Sequence, residues 1–199
     1  RNHAGYDLGY PALDLVLTHI TGEVNLKQRR FLDMARESTE KLNALVDDLL
    51  DLSKFANKKM RMSFEFTHLD ELVKRAVEKY GPAMNEKRLS VAVQVADGPM
   101  KVLVDPNRIT QVLNNLLTNA VKFTPEGGAV LIQLTQAADA PGFTSLSISN
   151  SGDPIAEADL DRIFDRFEQA RSRKTRAIRG TGLGLSICRS IVEGHGGRI

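Results

Sequence analysis

The chain has one cysteine, Cys188, among 199 residues. No disulfide can form within it, which fits a reducing compartment. Cys188 stands in an apolar segment, where a buried packing role is expected. No apolar run approaches the length needed to cross a bilayer, and no signal-peptide pattern is present. A surplus of one charge is also missing: 27 Lys and Arg against 25 Asp and Glu leave +2, so net charge implies no nucleic-acid partner. What is present is 42% hydrophobic content, enough for one compact domain and a smaller element. The expectation is a soluble cytoplasmic piece of a longer protein, touching a membrane only through N-terminal regions that it lacks.

One stretch organises the rest: Asp105 to Pro125, DPNRITQVLNNLLTNAVKFTP. Ile109, Val112, Leu113, Leu116, Leu117 and Ala120 recur at three- and four-residue steps, which predicts one apolar helix face. Asn115 and Asn119 are four apart and stack on another face, and Lys122 follows one turn later. Read alone, the Asn pair is a polar stripe facing solvent. Read as chemistry, two amide oxygens and an ammonium suit a hydrated Mg²⁺ and the phosphates it bridges, since Mg²⁺ keeps several waters.

A second stretch, Arg179 to Ile187, reads RGTGLGLSI. Gly180, Gly182 and Gly184 permit a tight turn and close backbone approach to a phosphate. The apolar helix expected over Leu185–Val192 offers its N-terminal amides to an anion. No strand-turn-helix unit with the dinucleotide fingerprint surrounds these glycines, so a Rossmann reading fails its context test. Arg171, Arg173, Lys174, Arg176 and Arg179 cluster just before the turn, within reach of a triphosphate or simply as a solvated loop.

With IFDRFEQ at Ile163–Gln169 between them, these stretches resemble the N box, F box and second glycine box of sensor histidine kinases. The resemblance covers the chain from about Lys41 to its end. It implies an α+β fold: a dimeric four-helix bundle from a helical hairpin, then a two-layer α/β sandwich of the histidine-kinase, gyrase and chaperone ATPase type. It implies ATP and Mg²⁺ as cofactors. The matching ATP-site positions are Asn115, Asn119, Lys122, Phe123, Asn150, Gly152, Ile155, Phe167, Arg179, Gly180, Thr181, Gly182, Leu183, Gly184 and Leu185. Asn115 and Asn119 would serve Mg²⁺ through waters and phosphates.

In chain order, residues 1–62 read as the hairpin, the dimerisation and phosphoacceptor domain, and 63–199 as the ATP-binding domain. Ser38, Leu42, Leu45, Leu49, Leu52 and Ala56 step by four and three, a heptad seam that needs a partner helix. Leu8, Ala12, Leu15 and His19 offer the same steps, with a break at Thr21-Gly22-Glu23. Two copies would complete the bundle, so a homodimer is expected.

The family's phosphoacceptor motif is His, acidic, Leu, Arg, Thr or Asn, Pro. The matching stretch is Tyr6-Asp7-Leu8-Gly9-Tyr10-Pro11. Asp7, Leu8 and Pro11 fit; Tyr6 replaces the histidine, and His3 and His19 are out of register. The chain thus resembles an atypical, tyrosine-bearing member, with Tyr6 as phosphoacceptor and Asp7 as general base. A phenol has a pKa of about 10, so requiring phenolate at neutral pH costs roughly 4 kcal/mol; Asp7 would offset part of this. A phosphotyrosine ester would transfer poorly to a receiver aspartate. Tyr10 lacks the small polar group that orients water in the family's phosphatase reaction, so that activity is expected to be weak or absent.

In the second domain, Arg61–Phe66, Leu89–Val95, Lys101–Val104, Ala129–Leu134 and Phe143–Ile148 read as strands. A helix is expected to start near Thr67 and to end or bend at Gly81-Pro82. Ile163, Phe164 and Phe167 are expected to anchor the segment before the nucleotide lid and also to be core aromatics of a short helix. The family's first glycine box, Asp-x-Gly-x-Gly-Ile, is matched by Asn150-Ser151-Gly152-Asp153-Pro154-Ile155. Its aspartate accepts from the adenine amino group; Asn150 still can, without charge, at a cost of about 1 kcal/mol or somewhat more. Pro154 removes a donor and stiffens the loop. The resemblance calls for one or two further strands after Gly196-Gly197.

The function that the resemblance implies is a cytoplasmic core of a two-component kinase, similar to a tyrosine-bearing member that acts in cell-division control, binding ATP and signalling to a response-regulator receiver. The alternative is a catalytically weak pseudokinase that docks a receiver as a regulatory scaffold. Five departures, at Tyr6, Gly9, Tyr10, Asn150 and Pro154, favour the alternative; the intact Asn pair and glycine turn favour retained nucleotide binding. Gyrase- and chaperone-type ATPases share those elements but not the preceding heptad hairpin.

Overall fold

The computed structural model describes residues 16, 22–56, 62–96, 100–137, 140, 142–169 and 180–199. The chain divides into two compact units, Arg1–Lys54 and Phe55–Ile199. Helix α1 (Leu26–Ala56) dominates the described part of the first. It opens on a reciprocal cap: the Asn25 side chain accepts from Gln28 N–H at 2.9 Å, and the Gln28 side chain accepts from Asn25 N–H at 3.0 Å. Of the heptad seam, Leu42 and Leu49 are exposed and Leu45 is half-buried. Phe31, Met34, Val46 and Leu50 are exposed as well. The break at Thr21-Gly22-Glu23 is described only from Gly22, which sits in a bend, and the partner stripe Leu8–His19 lies outside the described residues except Val16.

In the second unit, β1 (Glu65–His68) and β3 (Lys101–Val104) form an antiparallel ribbon, Phe66 opposite Leu103. Each strand feeds a helix directly: β1 leads into α2 (Leu69–Glu86) and β3 into α3 (Pro106–Phe123). A separate sheet has the order β2 (Ser90–Val95), β4 (Ala129–Gln136), β5 (Thr144–Asn150). Here β2 runs parallel to β4, and β5 antiparallel. Val130, Ile132 and Leu134 alternate inward along β4. They meet Leu72, Val73 and Ala76 of α2 and Leu113, Leu117 and Ala120 of α3 in one core. The result is the two-layer α+β sandwich expected, with its sheet divided.

One local expectation is corrected and two are refined. The strand expected over Arg61–Phe66 forms later, at Glu65–His68, because Ser63 N–H is taken by the Asp105 carboxylate at 2.9 Å rather than by a ladder. The helix expected to start near Thr67 begins two residues on, after His68, while the Thr67 hydroxyl donates to the Glu65 carbonyl. Gly81-Pro82 does not end that helix, which continues to Glu86. Proline there forfeits one backbone bond, and the turn beyond it is held by Met84, which is fully buried in the core.

Candidate nucleotide site

Helix α3 is built to be fixed at both ends. Asp105 caps it, its carboxylate accepting from Asn107 and Arg108 N–H at 3.0 and 3.2 Å. At the other end Lys87 Nζ donates to the carbonyls of Val121, Lys122 and Thr124 at 2.7, 3.3 and 2.8 Å. A cation on the last carbonyls complements the helix dipole. The buried face is Val112, Leu113, Leu117 and Ala120. Ile109 and Leu116 of the expected face are half-buried.

Two glycine-bearing segments, the Gly152 turn and the Gly180–Gly184 turn, converge on this helix. A Cβ on Gly152 would collide with the Phe123 carbonyl and lie 2.7 Å from the Asn150 amide nitrogen. One on Gly180 would lie 3.0 Å from Lys122 Nζ, and one on Gly184 3.5 Å from the Asn115 amide carbon. The Asn115 amide donates to the Gly184 carbonyl at 3.2 Å, which leaves its oxygen as an acceptor. Asn119 is half-buried one turn on. Burial pushes the Lys122 ammonium below its ordinary pKa of 10.5, and its Nζ lies 4.9 Å from the Phe123 ring centre.

The glycine turn leads into α4 (Gly184–Gly194), which begins without a side-chain cap or an acidic residue in its first turn. Its first amides are therefore suited to an anion. Thr181 closes the turn by accepting Leu183 N–H at 3.2 Å, and Leu183 is fully buried. Leu185 is half-buried. Cys188 is buried, as expected, against the Val112 carbonyl.

The aromatic segment departs from expectation. Residues 160–167 form turns rather than a helix, and Phe167 is 65% exposed, so it is not a core anchor. Its backbone does the anchoring: Phe167 N–H donates to the Gly182 carbonyl at 2.9 Å. Gln169 adds a side-chain bond to the Gly180 carbonyl at 2.7 Å. Phe164 is held from α4, with the Arg189 guanidinium 4.7 Å from its ring centre. Ile155 is exposed beyond the Gly152 turn.

The structure thus brings together Asn115, Lys122, Phe123, Asn150, Gly152, Gly180 and Gly184. Tyr6, Asp7, Arg179 and the cations Arg171, Arg173, Lys174 and Arg176 lie outside the described residues. Sequence reasoning missed Lys87, whose position after α2 carries no motif, and Arg189. The residues present fit a magnesium nucleotide: glycines that leave room for phosphate, a desolvated ammonium and amide oxygens. Among the described residues no group of three His, Cys, Asp or Glu could hold a metal ion.

Comparison with known proteins agrees with this geometry. The family described as histidine kinase-, DNA gyrase B- and HSP90-like ATPases matches residues 104–199. The sensor histidine kinase WalK of Bacillus subtilis is 33% identical over 170 residues, covering 85% of this chain and 28% of WalK. The catalytic domain of histidine kinase ThkA is 32% identical, with a TM-score of 0.58 over 67% of this chain and 82% of that domain. ThkA in complex with the response regulator TrrA is similar in fold, with a TM-score of 0.66 at 22% identity over 94% of this chain and 52% of that one. Full-length ShkA bound to AMPPNP has a TM-score of 0.74 at 27% identity, over 96% of this chain and 40% of ShkA. The chain belongs to the sensor histidine kinase family and carries its ATPase-type domain. It spans less than half the length of WalK and ShkA. Among the described residues no helix is long and apolar enough to cross a membrane.

Proposed function

We propose that this chain is the core of an atypical two-component sensor kinase that binds magnesium ATP on α3 and signals to a response-regulator receiver. The carrying observation is the convergence of the Gly152 turn on Phe123 and of the Gly180–Gly184 turn on Lys122 and Asn115. In this reading Lys122 and the first amides of α4 hold phosphate oxygens. The oxygens of Asn115 and Asn119 orient waters on Mg²⁺, and Asn150 accepts from the adenine amino group. ATP supplies the phosphoryl group. Residues 1–62 would form the dimerisation and phosphoacceptor hairpin and 63–199 the ATP-binding domain. The exposed apolar stripe of α1 supports a homodimer, since such a seam needs a covering helix. ThkA's complex with a response regulator supports the partner class.

Tyr6 in the phosphoacceptor register, followed by Asp7, makes the chain like the tyrosine-bearing cell-division regulator DivL. Asp7 would take the phenol proton as Tyr6 attacks the terminal phosphorus and ADP leaves. A second reading is a pseudokinase scaffold for a receiver, favoured by Gly9, Tyr10 and Pro154. Incubation with Mg²⁺ and γ-labelled ATP separates the two. Acid-stable label that vanishes in Tyr6→Phe is the expected result for a tyrosine autokinase. No label despite measurable nucleotide binding would establish the scaffold.

A further inference from the structure

Helices α3 and α4 run antiparallel and are pinned to each other twice. The near pin is the Asn115 amide on the Gly184 carbonyl, 3.2 Å. The far pin is His195, just past the end of α4. Its Nε2 lies 2.9 Å from the Asp105 backbone nitrogen, and its Nδ1 2.7 Å from the Ile191 carbonyl. A backbone N–H can only donate, so Nε2 accepts and the ring proton sits on Nδ1, donating to Ile191. Both ring nitrogens are thereby used on backbone groups of two different helices.

The spans between the pins match. Asp105 to Asn115 is about 15 Å of helix and Gly184 to His195 about 16 Å, at 1.5 Å rise per residue. Between them Cys188 Sγ meets the Val112 carbonyl at 3.9 Å, in the same register. The far pin is also where the incoming chain arrives. Ser63 N–H bonds the Asp105 carboxylate at 2.9 Å, and the Phe64 ring stands edge-on to His195, centres 5.2 Å apart.

We propose that His195 is a positioning residue for the nucleotide site. It sets the register of α4 on α3 and so holds the glycine turn against Asn115 and Lys122, although it lies about three helical turns along α4 from Gly184. The inference rests on the nucleotide reading above and deepens it. A sliding helix moves both the Gly184 amide and the phosphate-facing first turn, so loss of the far pin is felt at the near one.

The test uses the whole chain, Mg²⁺ with AMPPNP as the probe, and amide hydrogen exchange without nucleotide. His195→Ala is expected to weaken AMPPNP about five- to tenfold, a typical size for coupling between two sites. It should also speed exchange over Gly184–Ile187. His195→Gln, which keeps an acceptor for the Asp105 N–H, should restore most of both. If His195→Ala lowers only thermal stability, with affinity and exchange at Gly184–Ile187 unchanged, the proposal is overturned. Should that variant not fold, Phe64→Ala, which loosens the packing and spares both bonds, is read the same way. If the wild-type chain binds no AMPPNP, the nucleotide reading fails, and exchange at Gly184–Ile187 still decides the register claim.

Discussion

Phe167 donates its N–H to the carbonyl of Gly182 at 2.9 Å, and both residues hold positive φ, +64° and +71°. This backbone bridge joins the segment before the lid to the glycine turn. A Cβ on Gly182 would stand 2.7 Å from the Phe167 carbonyl carbon, and no flexible side chain is there to move away. Gly182→Ala should therefore destabilise by about 1–3 kcal/mol from backbone strain alone. Gly184 differs, because its Cβ would meet Asn115 at an ordinary 3.5 Å. Gly184→Ala should stay within about 1 kcal/mol of wild type. Urea unfolding of the two variants measures the contrast; equal effects would sink it.

Lys87 holds three carbonyls at the end of α3. Lys87→Met keeps much of the side-chain length and loses all three bonds. It should destabilise by about 1.5–3 kcal/mol, the range for bonds to a charged group. A midpoint unchanged in denaturant would show that water replaces the ammonium without cost.

Asp105 predicts an acid limb. Burial pushes its carboxyl up, but backbone N–H groups of Ser63, Arg108 and Asn107, with the Arg108 charge, outweigh this and hold it below 3.8. A depressed folded pKa means the stabilisation is complete above the unfolded value and fades as pH falls through the folded one. The stability gap between wild type and Asp105→Asn should therefore be constant near neutral pH and narrow below pH 3.8. A gap that does not change with pH would refute this assignment.

Asn150→Asp restores a charged acceptor at the end of β5. It should tighten magnesium nucleotide binding about several-fold to tenfold, the difference between a neutral and a charge-assisted bond. Calorimetric titration showing no tightening would remove Asn150 from the base-recognition site.

How much of this was legible depended on how local the cause was. The α3 face and the strand Lys101–Val104 follow from periodicity, which acts within one or two turns. The glycine turn was legible because few other residues tolerate positive φ. The helix does not end at Pro82, one of the two outcomes expected there, because a distant core holds Met84 and carries it past a local breaker. The strand before α2 was misplaced because Asp105, 42 residues away, takes the Ser63 amide. Lys87 and His195 were invisible for the same reason: a lysine and a histidine become fixtures only when the fold brings carbonyls and an amide to them.

The most direct test of the central claim is titration of the chain with Mg²⁺ and AMPPNP, wild type against Lys122→Met. The account predicts saturable binding to wild type, weakened about tenfold or more in the variant, since a charged hydrogen bond to phosphate is lost. Equal affinity in the two proteins, or no binding to wild type, would contradict a nucleotide site on α3.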